Sequence, residues 1–384
     1  MLVAYQFQTP TKIISGIGST AEIIKELNDL HAKKVLLITD PGLVQAGVAQ
    51  QVVEMLKQAA VEVEIFDAVE PDPSIQVATK AAEMAKNVKA NVLIALGGGS
   101  AIDTAKSAAL LVTNGGYLKD YAGVNKVVKP ILPLIAVPTT AGTGSEVTIF
   151  AVMSDPEKQE KFTISSALIA PAVAVLDPLL TLKLPPSVTA FTGMDALTHA
   201  IEAFTSSIAQ PATDALALSA IKLVLKHLPV AVGRGDNIKA RDGMLQASLL
   251  AGIAFNNAFL GLAHAIASPL GGHFHVPHGL ANAVMLPYVM EYNLPTAVRR
   301  YAEIGCALGL QAVGDTPRAV AEKTVAAITQ LARDINIPEK LSNIGAKEEL
   351  LPLVARDALK SIQLKFNVRN ASEKEILALL QKAY

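Results

Sequence analysis

The chain has 384 residues, of which 51% are hydrophobic and 17% charged, and its formal net charge at pH 7 is −1. This length exceeds one ordinary domain of roughly 100–200 residues, so two domains are expected. The balanced, scattered charge argues against a nucleic-acid partner, and apolar runs of strand length argue against a membrane span.

The first half of the chain alternates strand patterns with helix patterns. Short β-branched runs predict four strands, at residues 34–39, 61–66, 91–96 and 130–137. The segments between them carry apolar residues at helical spacing and predict helices at 43–58, 75–87 and 101–112. This alternation is typical of βαβ units that build a parallel sheet.

Strand signals nearly vanish after Pro185 and Pro186, and Ala/Leu-rich segments continue to the C-terminus. We therefore predict an α/β domain over residues 1–184 and an all-helical domain over residues 185–384. Prolines are expected to break the helices of the second domain, at positions 211, 229, 269, 287, 295, 317 and 338.

The N-terminus and the cysteine content indicate the compartment. Residues 1–6 show no basic leader or cleavage pattern, which favours a soluble cytoplasmic protein. Cys306 is the only cysteine, so it forms no internal disulfide and builds no thiolate metal site. We interpret it as a small buried hydrophobic residue on a helix.

A glycine run follows the third predicted strand. Gly97, Gly98, Gly99 and Ser100 form a strand-to-helix turn where backbone N–H groups can approach an anion at a helix N-terminus. Ser100 with Asp103 also fits a purely structural capping pair. We favour phosphate binding, although the run is neither a G-x-G-x-x-G fingerprint nor a P-loop.

A second loop, residues 138–146, follows the fourth predicted strand and is rich in hydroxyl groups and glycines. Such a turn suits the phosphates and sugar of a nucleotide, so both loops are interpreted as binding one ligand. Asp40 ends the first predicted strand and could hold a ribose 2′-hydroxyl, which would favour NAD over NADP. Because Pro41 follows it, Asp40 equally fits a helix N-cap.

The strongest chemical signal is a set of histidines with one aspartate. Asp195 and His199 are four residues apart, and on a helix this spacing places both side chains on one face. Of the seven histidines in the chain, His264, His273, His275 and His278 fall within fifteen residues. Pro and Gly residues are expected to break a helix after His264 and to restart one near His278, so that these two converge. Any single histidine fits a packed or surface role, but together the set predicts one divalent metal.

With these features in order, the chain resembles the iron-containing alcohol dehydrogenase family, also called group III alcohol dehydrogenases, almost from end to end. The matching segments are residues 10–13, 16–18, 39–40, 70–73, 97–106, 138–148, 193–200, 261–265 and 277–282. The resemblance implies a dehydroquinate synthase-like architecture, in which a dinucleotide-binding α/β domain is followed by a helical metal-binding domain.

The resemblance also assigns residues to each site. It implies metal ligation by Asp195, His199, His264 and His278, with iron(II) favoured and zinc possible on ligand type alone. It implies NAD contacts from a larger set, namely Asp40, Asp72, Gly98, Gly99, Ser100, Thr139, Thr140, Thr143 and Lys161. The implied reaction is hydride transfer between a primary alcohol, or its aldehyde, and NAD(H). The resemblance also implies a homo-oligomer, a dimer or a larger assembly.

Two positions depart from the family pattern. Ser268 stands where many members have a further histidine near the nicotinamide, so a proton relay would need His275 or a water molecule. Phe150 stands where some relatives have a polar side chain beside the substrate, which favours simple alkyl alcohols over polyols.

Three alternatives remain open at this stage. The first is a polyol dehydrogenase that depends on NAD and a metal. The second is a lyase of the sugar-phosphate cyclase type, disfavoured because residues 193–204 and 261–282 contain no Lys or Arg to grip a phosphate. The third is a purely structural metal that staples the helical domain and predicts no nucleotide binding.

Overall fold

The computed structural model describes residues 5–157 and 160–384. Residues 1–4, part of the N-terminal segment on which the prediction of compartment rests, lie outside the described residues. The chain divides into two compact units, one of residues 9–183 and one that joins residues 5–8 to 184–384. Gln8 belongs to the second unit, where its N–H donates to Asn257 Oδ1 at 2.7 Å.

The first unit is built on a six-stranded parallel sheet with the order β1-β9-β6-β4-β2-β3. Its strands are β1 (Lys12–Ser15), β2 (Lys34–Ile38), β3 (Glu62–Phe66), β4 (Val92–Gly97), β6 (Leu134–Pro138) and β9 (Val173–Leu176). The four predicted strands are present, whereas β1 and β9 were not predicted. The predicted fold class, an α/β unit followed by a helical one, is confirmed.

Alternation along the central strands gives the sheet two apolar faces. In β2, Leu36 and Ile38 enter one core, while Val35 and Leu37 enter the other. Successive side chains of a strand point to opposite faces, so a strand covered on both sides is apolar throughout. The covering helices are α1 (Ile23–Asp29), α2 (Pro41–Gln45), α3 (Val48–Gln58), α4 (Ile75–Asn87) and α5 (Gly99–Asn114).

Two local differences from the sequence prediction have identifiable causes. The single helix predicted over 43–58 is two helices, because Gly47 adopts a left-handed φ of 74° between α2 and α3. A small second sheet, not predicted, contains β5 (Gly123–Val124), β7 (Phe150–Asp155) and β8 (Glu160–Ser165). In it β7 and β8 pair in antiparallel fashion, and β5 pairs with β8 in parallel.

The second unit is helical in the described residues 184–384. Its helices are α6 (Pro186–Thr205), α7 (Pro211–Gly233), α8 (Ile238–Ala258), α9 (Leu262–Phe274), α10 (His278–Ala307), α11 (Pro317–Asp334), α12 (Leu351–Ala358) and α13 (Glu373–Ala383). A glycine allows α6 to pack closely against α7. A Cβ added at Gly193 of α6 would lie 2.3 Å from Leu228 Cδ1 of α7.

The prediction that prolines break these helices is wrong at four positions. Pro229 lies inside α7, Pro269 inside α9, and Pro287 and Pro295 inside α10. The predicted break between His264 and His278 is present, since α9 ends at Phe274 and α10 begins at His278, but Pro269 does not cause it. A proline removes one helical hydrogen bond and crowds the preceding turn, but packing of α10 against α6, α9 and α11 outweighs this local cost.

Two further findings concern the surface. By length and composition, helix α7 is long and apolar enough to cross a membrane. Of its most apolar 18 residues, 39% are buried within the protein. Core helices of soluble proteins satisfy the same criterion.

Cys306 is exposed and its thiol donates to Gln311 Oε1 at 3.1 Å, so the interpretation of a buried cysteine is wrong. It lies near the C-terminal end of α10, directly after the buried Ile304 and Gly305.

Candidate metal and nucleotide sites

Three of the four predicted metal ligands converge in the helical unit. Asp195 and His199 lie one turn apart on α6, and His264 lies in the first turn of α9. Their ligand-type oxygen and nitrogen atoms all lie within 4.8 Å of one another, and all three side chains are buried. The rings of His199 and His264 stack with centroids 4.5 Å apart. One ion could therefore contact all three.

The fourth predicted ligand, His278, is the first residue of α10 and lies beside this cluster. Its ring centroid is 5.3 Å from that of His264, and its Nε2 is 3.2 Å from Asn282 Nδ2. Asn282 also donates to Asp195 Oδ1 at 2.7 Å, so one amide joins two predicted ligands. The close approach of α10 to α6 depends on Gly279, where a Cβ would lie 2.8 Å from the Phe191 carbonyl oxygen.

The donor set fits a cation. His264 Nε2 is buried and has no hydrogen-bond partner in the described residues, while its Nδ1 lies 2.6 Å from Glu202 Oε2. A buried polar atom without a partner is costly, and imidazole nitrogen with carboxylate oxygen suits iron(II) or zinc. A divalent ion beside Asp195 would provide the missing partner.

The two predicted nucleotide loops meet in the α/β unit. They follow β4 and β6, neighbouring parallel strands whose carboxyl ends share one edge of the sheet. A Cβ at Gly98 would lie 3.2 Å from Thr140 Oγ1, and one at Gly99 would lie 2.9 Å from Thr143 Cγ2. Glycine is thus needed where the loops touch, and the N-terminus of α5 begins there with N–H groups suited to an anion.

Ser100 does not cap α5. The N-cap position is Gly98, without a side-chain capping bond, and Ser100 lies within the first turn. The Asp103 carboxylate accepts instead from Ser145 Oγ at 2.5 Å and from the Val152 N–H at 2.9 Å. The purely structural capping alternative for this turn is therefore wrong.

The structure shows the capping role of Asp40. Its Oδ1 accepts from the Leu43 N–H at 3.0 Å at the start of α2. Its Oδ2 lies 3.5 Å from the position of a Cβ built on Gly97, so the carboxylate also borders the glycine run. A contact between Asp40 and a ribose stays a prediction.

The remaining predicted nucleotide residues lie in the same unit. Asp72, with a positive φ of 51°, accepts from Lys161 Nζ at 2.6 Å, so these two form an ion pair. Thr139 is buried directly after β6, and Thr140 is half-buried beside Gly98. Their contacts with a nucleotide also stay predictions.

The positions linked to proton relay and substrate preference are less informative. His275 is exposed at the C-cap of α9 with a left-handed φ of 55°, and it is not among the three clustered ligands. Ser268 is half-buried on α9, and Phe150 is half-buried at the start of β7. The relay role of His275 and the apolar substrate preference stay predictions.

Comparison with known proteins decides the family. A model for the iron-containing alcohol dehydrogenase matches residues 10–178, and a model for the C-terminal region of the Fe-containing alcohol dehydrogenase family matches residues 189–384. The chain belongs to the iron-containing alcohol dehydrogenase family. The predicted resemblance is confirmed.

Individual members of the iron-containing alcohol dehydrogenase family match over nearly the full chain. The NAD-dependent methanol dehydrogenase of Bacillus methanolicus is 38% identical, with 98% of this chain and 99% of that protein covered. Alcohol dehydrogenase 4 of Saccharomyces cerevisiae strain YJM789 is 42% identical, with 98% of both covered. A crystal structure of a 1,3-propanediol oxidoreductase has a TM-score of 0.97 at 41% identity and covers 100% of both chains.

A cluster of buried charged residues, which was not predicted from the sequence, stabilises the second predicted nucleotide loop, residues 138–146. The Lys106 ammonium on α5 donates to the carbonyl oxygens of Thr148 at 3.0 Å and Phe150 at 2.6 Å, and to Ser145 Oγ at 3.0 Å. Burial lowers the pKa of Lys106 to about 8, opposed by the nearby carboxylates. Burial likewise raises the pKa of Asp103.

Glu146 belongs to the same cluster and predicts a pH-dependent stability. Burial raises its pKa to about 7, above the ordinary value near 4.5, so the folded state binds the proton more tightly than the unfolded state. Its stabilising contribution is present below about pH 4.5 and is lost as the pH rises through 7. Glu146→Gln keeps the group neutral and should match the wild type near pH 5 but exceed it at pH 8, by about 1–3 kcal/mol.

Calorimetric melting at both pH values measures this difference. The exposed Glu83→Gln, on α4, serves as the matched control and should show little change at either pH. An equal effect of Glu146→Gln at pH 5 and pH 8 would contradict the raised pKa.

Glu202 and Lys106 were not predicted as functional residues, although the sequence carries a signal for each. Asp195, His199 and Glu202 follow an i, i+4, i+7 pattern and therefore share one stripe of α6. Lys106 is a charged residue inside an otherwise apolar stretch of α5, and a lysine is almost never fully buried unless paired.

Proposed function

We propose that this chain oxidises a primary alcohol to its aldehyde with NAD⁺ and catalyses the reverse reduction with NADH. The carbon gives a hydride to nicotinamide C4 and the hydroxyl group gives up a proton, so the alcohol loses two electrons. The observation that carries the proposal is the buried cluster of Asp195, His199 and His264, in which His264 Nε2 has no hydrogen-bond partner in the described residues.

In this proposal Asp195, His199, His264 and His278 hold one divalent ion, with iron favoured by family membership. When bound, such an ion acts as a Lewis acid that lowers the pKa of an alcohol hydroxyl by several units. The protein excludes water by burying the cluster, and stacking of His199 between Phe255 and His264 orients its ring.

Nucleotide binding is proposed for the α/β domain, residues 1–184, and metal binding for residues 185–384. The touching loops at Gly98–Thr140 and Gly99–Thr143 support a pyrophosphate site at the N-terminus of α5. The names of the relatives support a small alcohol: methanol for one and 1,3-propanediol for another. Phe150 favours an alkyl alcohol over a polyol.

The test is a panel of short primary alcohols, polyols and aldehydes assayed with NAD(H) and NADP(H), beside elemental analysis of the purified protein. We expect NAD-linked turnover of primary alcohols and about one divalent ion per chain. Bound metal without NADH binding by fluorescence would instead support a purely structural ion.

Asp40 provides a prediction about cofactor choice. A carboxylate beside the glycine run would accept from a ribose 2′-hydroxyl and repel a 2′-phosphate, so Asp40→Gly should reduce discrimination against NADP. We expect the ratio of kcat/KM for NAD to that for NADP to fall by about tenfold or more, the loss of roughly one good charged contact.

Because Asp40 also caps α2, Asp40→Asn is the informative companion variant. It keeps an acceptor for the Leu43 N–H and removes only the charge. An unchanged NAD/NADP ratio in both variants would leave Asp40 with the capping role alone.

We further infer a cytoplasmic homo-oligomer that uses neither nucleic acid nor membrane as a partner. The incomplete burial of the apolar helix α7 supports a protein–protein surface there. Light scattering coupled to size exclusion, without detergent, measures the assembly directly.

A further inference from the structure

Glu202 is a buried carboxylate beside the proposed metal ligands that has no role so far. It lies on α6, three residues after His199, and is 4% exposed. Its Oε2 accepts from the Gly261 N–H at 2.9 Å and lies 2.6 Å from His264 Nδ1. Its Oε1 accepts from the Ala263 N–H at 2.6 Å. One side chain therefore faces three nitrogen atoms.

The chemistry of this contact sets the tautomer of His264. An ionised carboxylate has only acceptors, so the imidazole must offer its N–H at Nδ1. In a neutral imidazole the other nitrogen, Nε2, then carries a lone pair and no proton. Nε2 is buried without a hydrogen-bond partner in the described part of the chain, and Asp195 Oδ1 lies 3.8 Å from it. The carboxylate thus leaves His264 ready to bind a cation.

We propose that Glu202 is a positioning residue for the metal site: it fixes the His264 ring and tautomer so that Nε2 is available as a ligand. This inference rests on the proposed function, in which His264 is a ligand. A hydrogen bond from a ligating histidine to a carboxylate typically changes metal affinity by about 10–100-fold.

Gln cannot replace Glu202 in this role. If the amide oxygen faces Ala263, the NH₂ group faces the Gly261 N–H and His264 Nδ1, and it drives the proton of the imidazole to Nε2. If the amide oxygen faces Gly261 and His264, the NH₂ group opposes the Ala263 N–H. Either orientation loses the imidazole tautomer or a buried backbone hydrogen bond.

Helix capping is the competing explanation, and the chain offers a matched control for it. The N–H groups of residues 261–263 begin α9, and a carboxylate there stabilises a helix N-terminus. Asn367 Oδ1 accepts the intervening N–H, that of Leu262, at 3.2 Å. Asn367 also exchanges amide hydrogen bonds with Asn293, and in the described residues it makes no hydrogen bond with His264. Asn367→Ala therefore disturbs the same helix start without touching the tautomer.

The experiment titrates Co²⁺ into chelator-treated wild type, Glu202→Gln, Asn367→Ala and His264→Ala, with visible absorbance and chelator competition as readouts. We expect the Kd for Co²⁺ to rise about 10–100-fold in Glu202→Gln and less than about threefold in Asn367→Ala. Both variants should lower the metal-free melting temperature, since both weaken the start of α9. An equal loss of Co²⁺ affinity in the two would establish capping and overturn the proposal.

The His264→Ala arm separates this inference from the proposed function. Wild-type Co²⁺ affinity in His264→Ala would refute the metal site itself, whereas loss there with wild-type affinity in Glu202→Gln would refute only the role of Glu202. Histidine ¹⁵N shifts of the metal-free wild type, assigned with His264→Ala, need no folded Glu202 variant. They should show a proton on Nδ1, and a neutral imidazole with its only proton on Nε2 would overturn the proposal.

Discussion

His264→Ala is expected to lower kcat/KM for a short primary alcohol with NAD by about a thousandfold or more and to leave less than stoichiometric metal on the protein. The imidazole is buried between His199 and His278, and its Nε2 has no hydrogen-bond partner in the described residues, with Asp195 Oδ1 at 3.8 Å. Its removal deletes one ligand-type atom of the three that lie within 4.8 Å. Assays after metal removal and readdition, with elemental analysis, measure both effects.

His273→Ala is the matched control, because it removes an imidazole from the same helix. His273 pairs with Asp357 at 2.8 Å and its side chain is 30% exposed. We expect its metal content and turnover to stay near those of the wild type. Wild-type turnover in His264→Ala after chelation and readdition would refute metal-based catalysis.

Lys106→Met is expected to cost about 3–5 kcal/mol of stability, the typical loss when one partner of a buried ion pair is removed. The substitution leaves the carbonyl oxygens of Thr148 and Phe150 without a donor from this side chain and leaves Asp103 without its nearby cation. Lys106 also donates to Ser145 Oγ, and the Ser145 N–H donates to Thr143 Oγ1 in the predicted nucleotide loop. We therefore expect weaker NADH binding as well. Calorimetric melting and NADH fluorescence measure these effects.

A double-mutant cycle tests the electrostatic origin of this loss. Lys106→Met combined with Asp103→Asn removes both charges, so its destabilisation should be smaller than the sum of the single effects by about 1–3 kcal/mol. Lys86→Met, at an exposed position of α4, should melt close to the wild type. Strict additivity in the cycle would show that the ammonium acts only through its carbonyl partners.

The sequence was sufficient where local spacing determines the structure. Asp195 and His199 follow a helical period, and the glycine run follows a strongly apolar strand, so both features could be predicted from short-range geometry. Convergence of His264 with His278 was predicted from a helix break between them, and α9 does end at Phe274 before α10 begins at His278. Only the place of the break differs from the prediction, because tertiary packing continues α9 through Pro269 to Phe274.

Elements held by long-range pairing were the ones missed. β1 has four residues and pairs with β9, about 160 positions away in sequence, so no local pattern reports their contact. The β7–β8 hairpin alternates buried and exposed residues only in part.

Exposure of Cys306 depends on how the end of α10 packs, which residue type alone does not determine. Glu202 shares the stripe of Asp195, yet its acceptors find their donors on α9.

The position of β3 at the edge of the six-stranded sheet has a consequence for how copies of the protein can associate. This strand would offer unpaired backbone groups to another chain, and edges of this kind invite uncontrolled fibre-like growth. Glu62 and Glu64 are exposed on it, so two copies meeting there would bring like charges together. These two acidic side chains therefore disfavour extension of the sheet by another copy at β3.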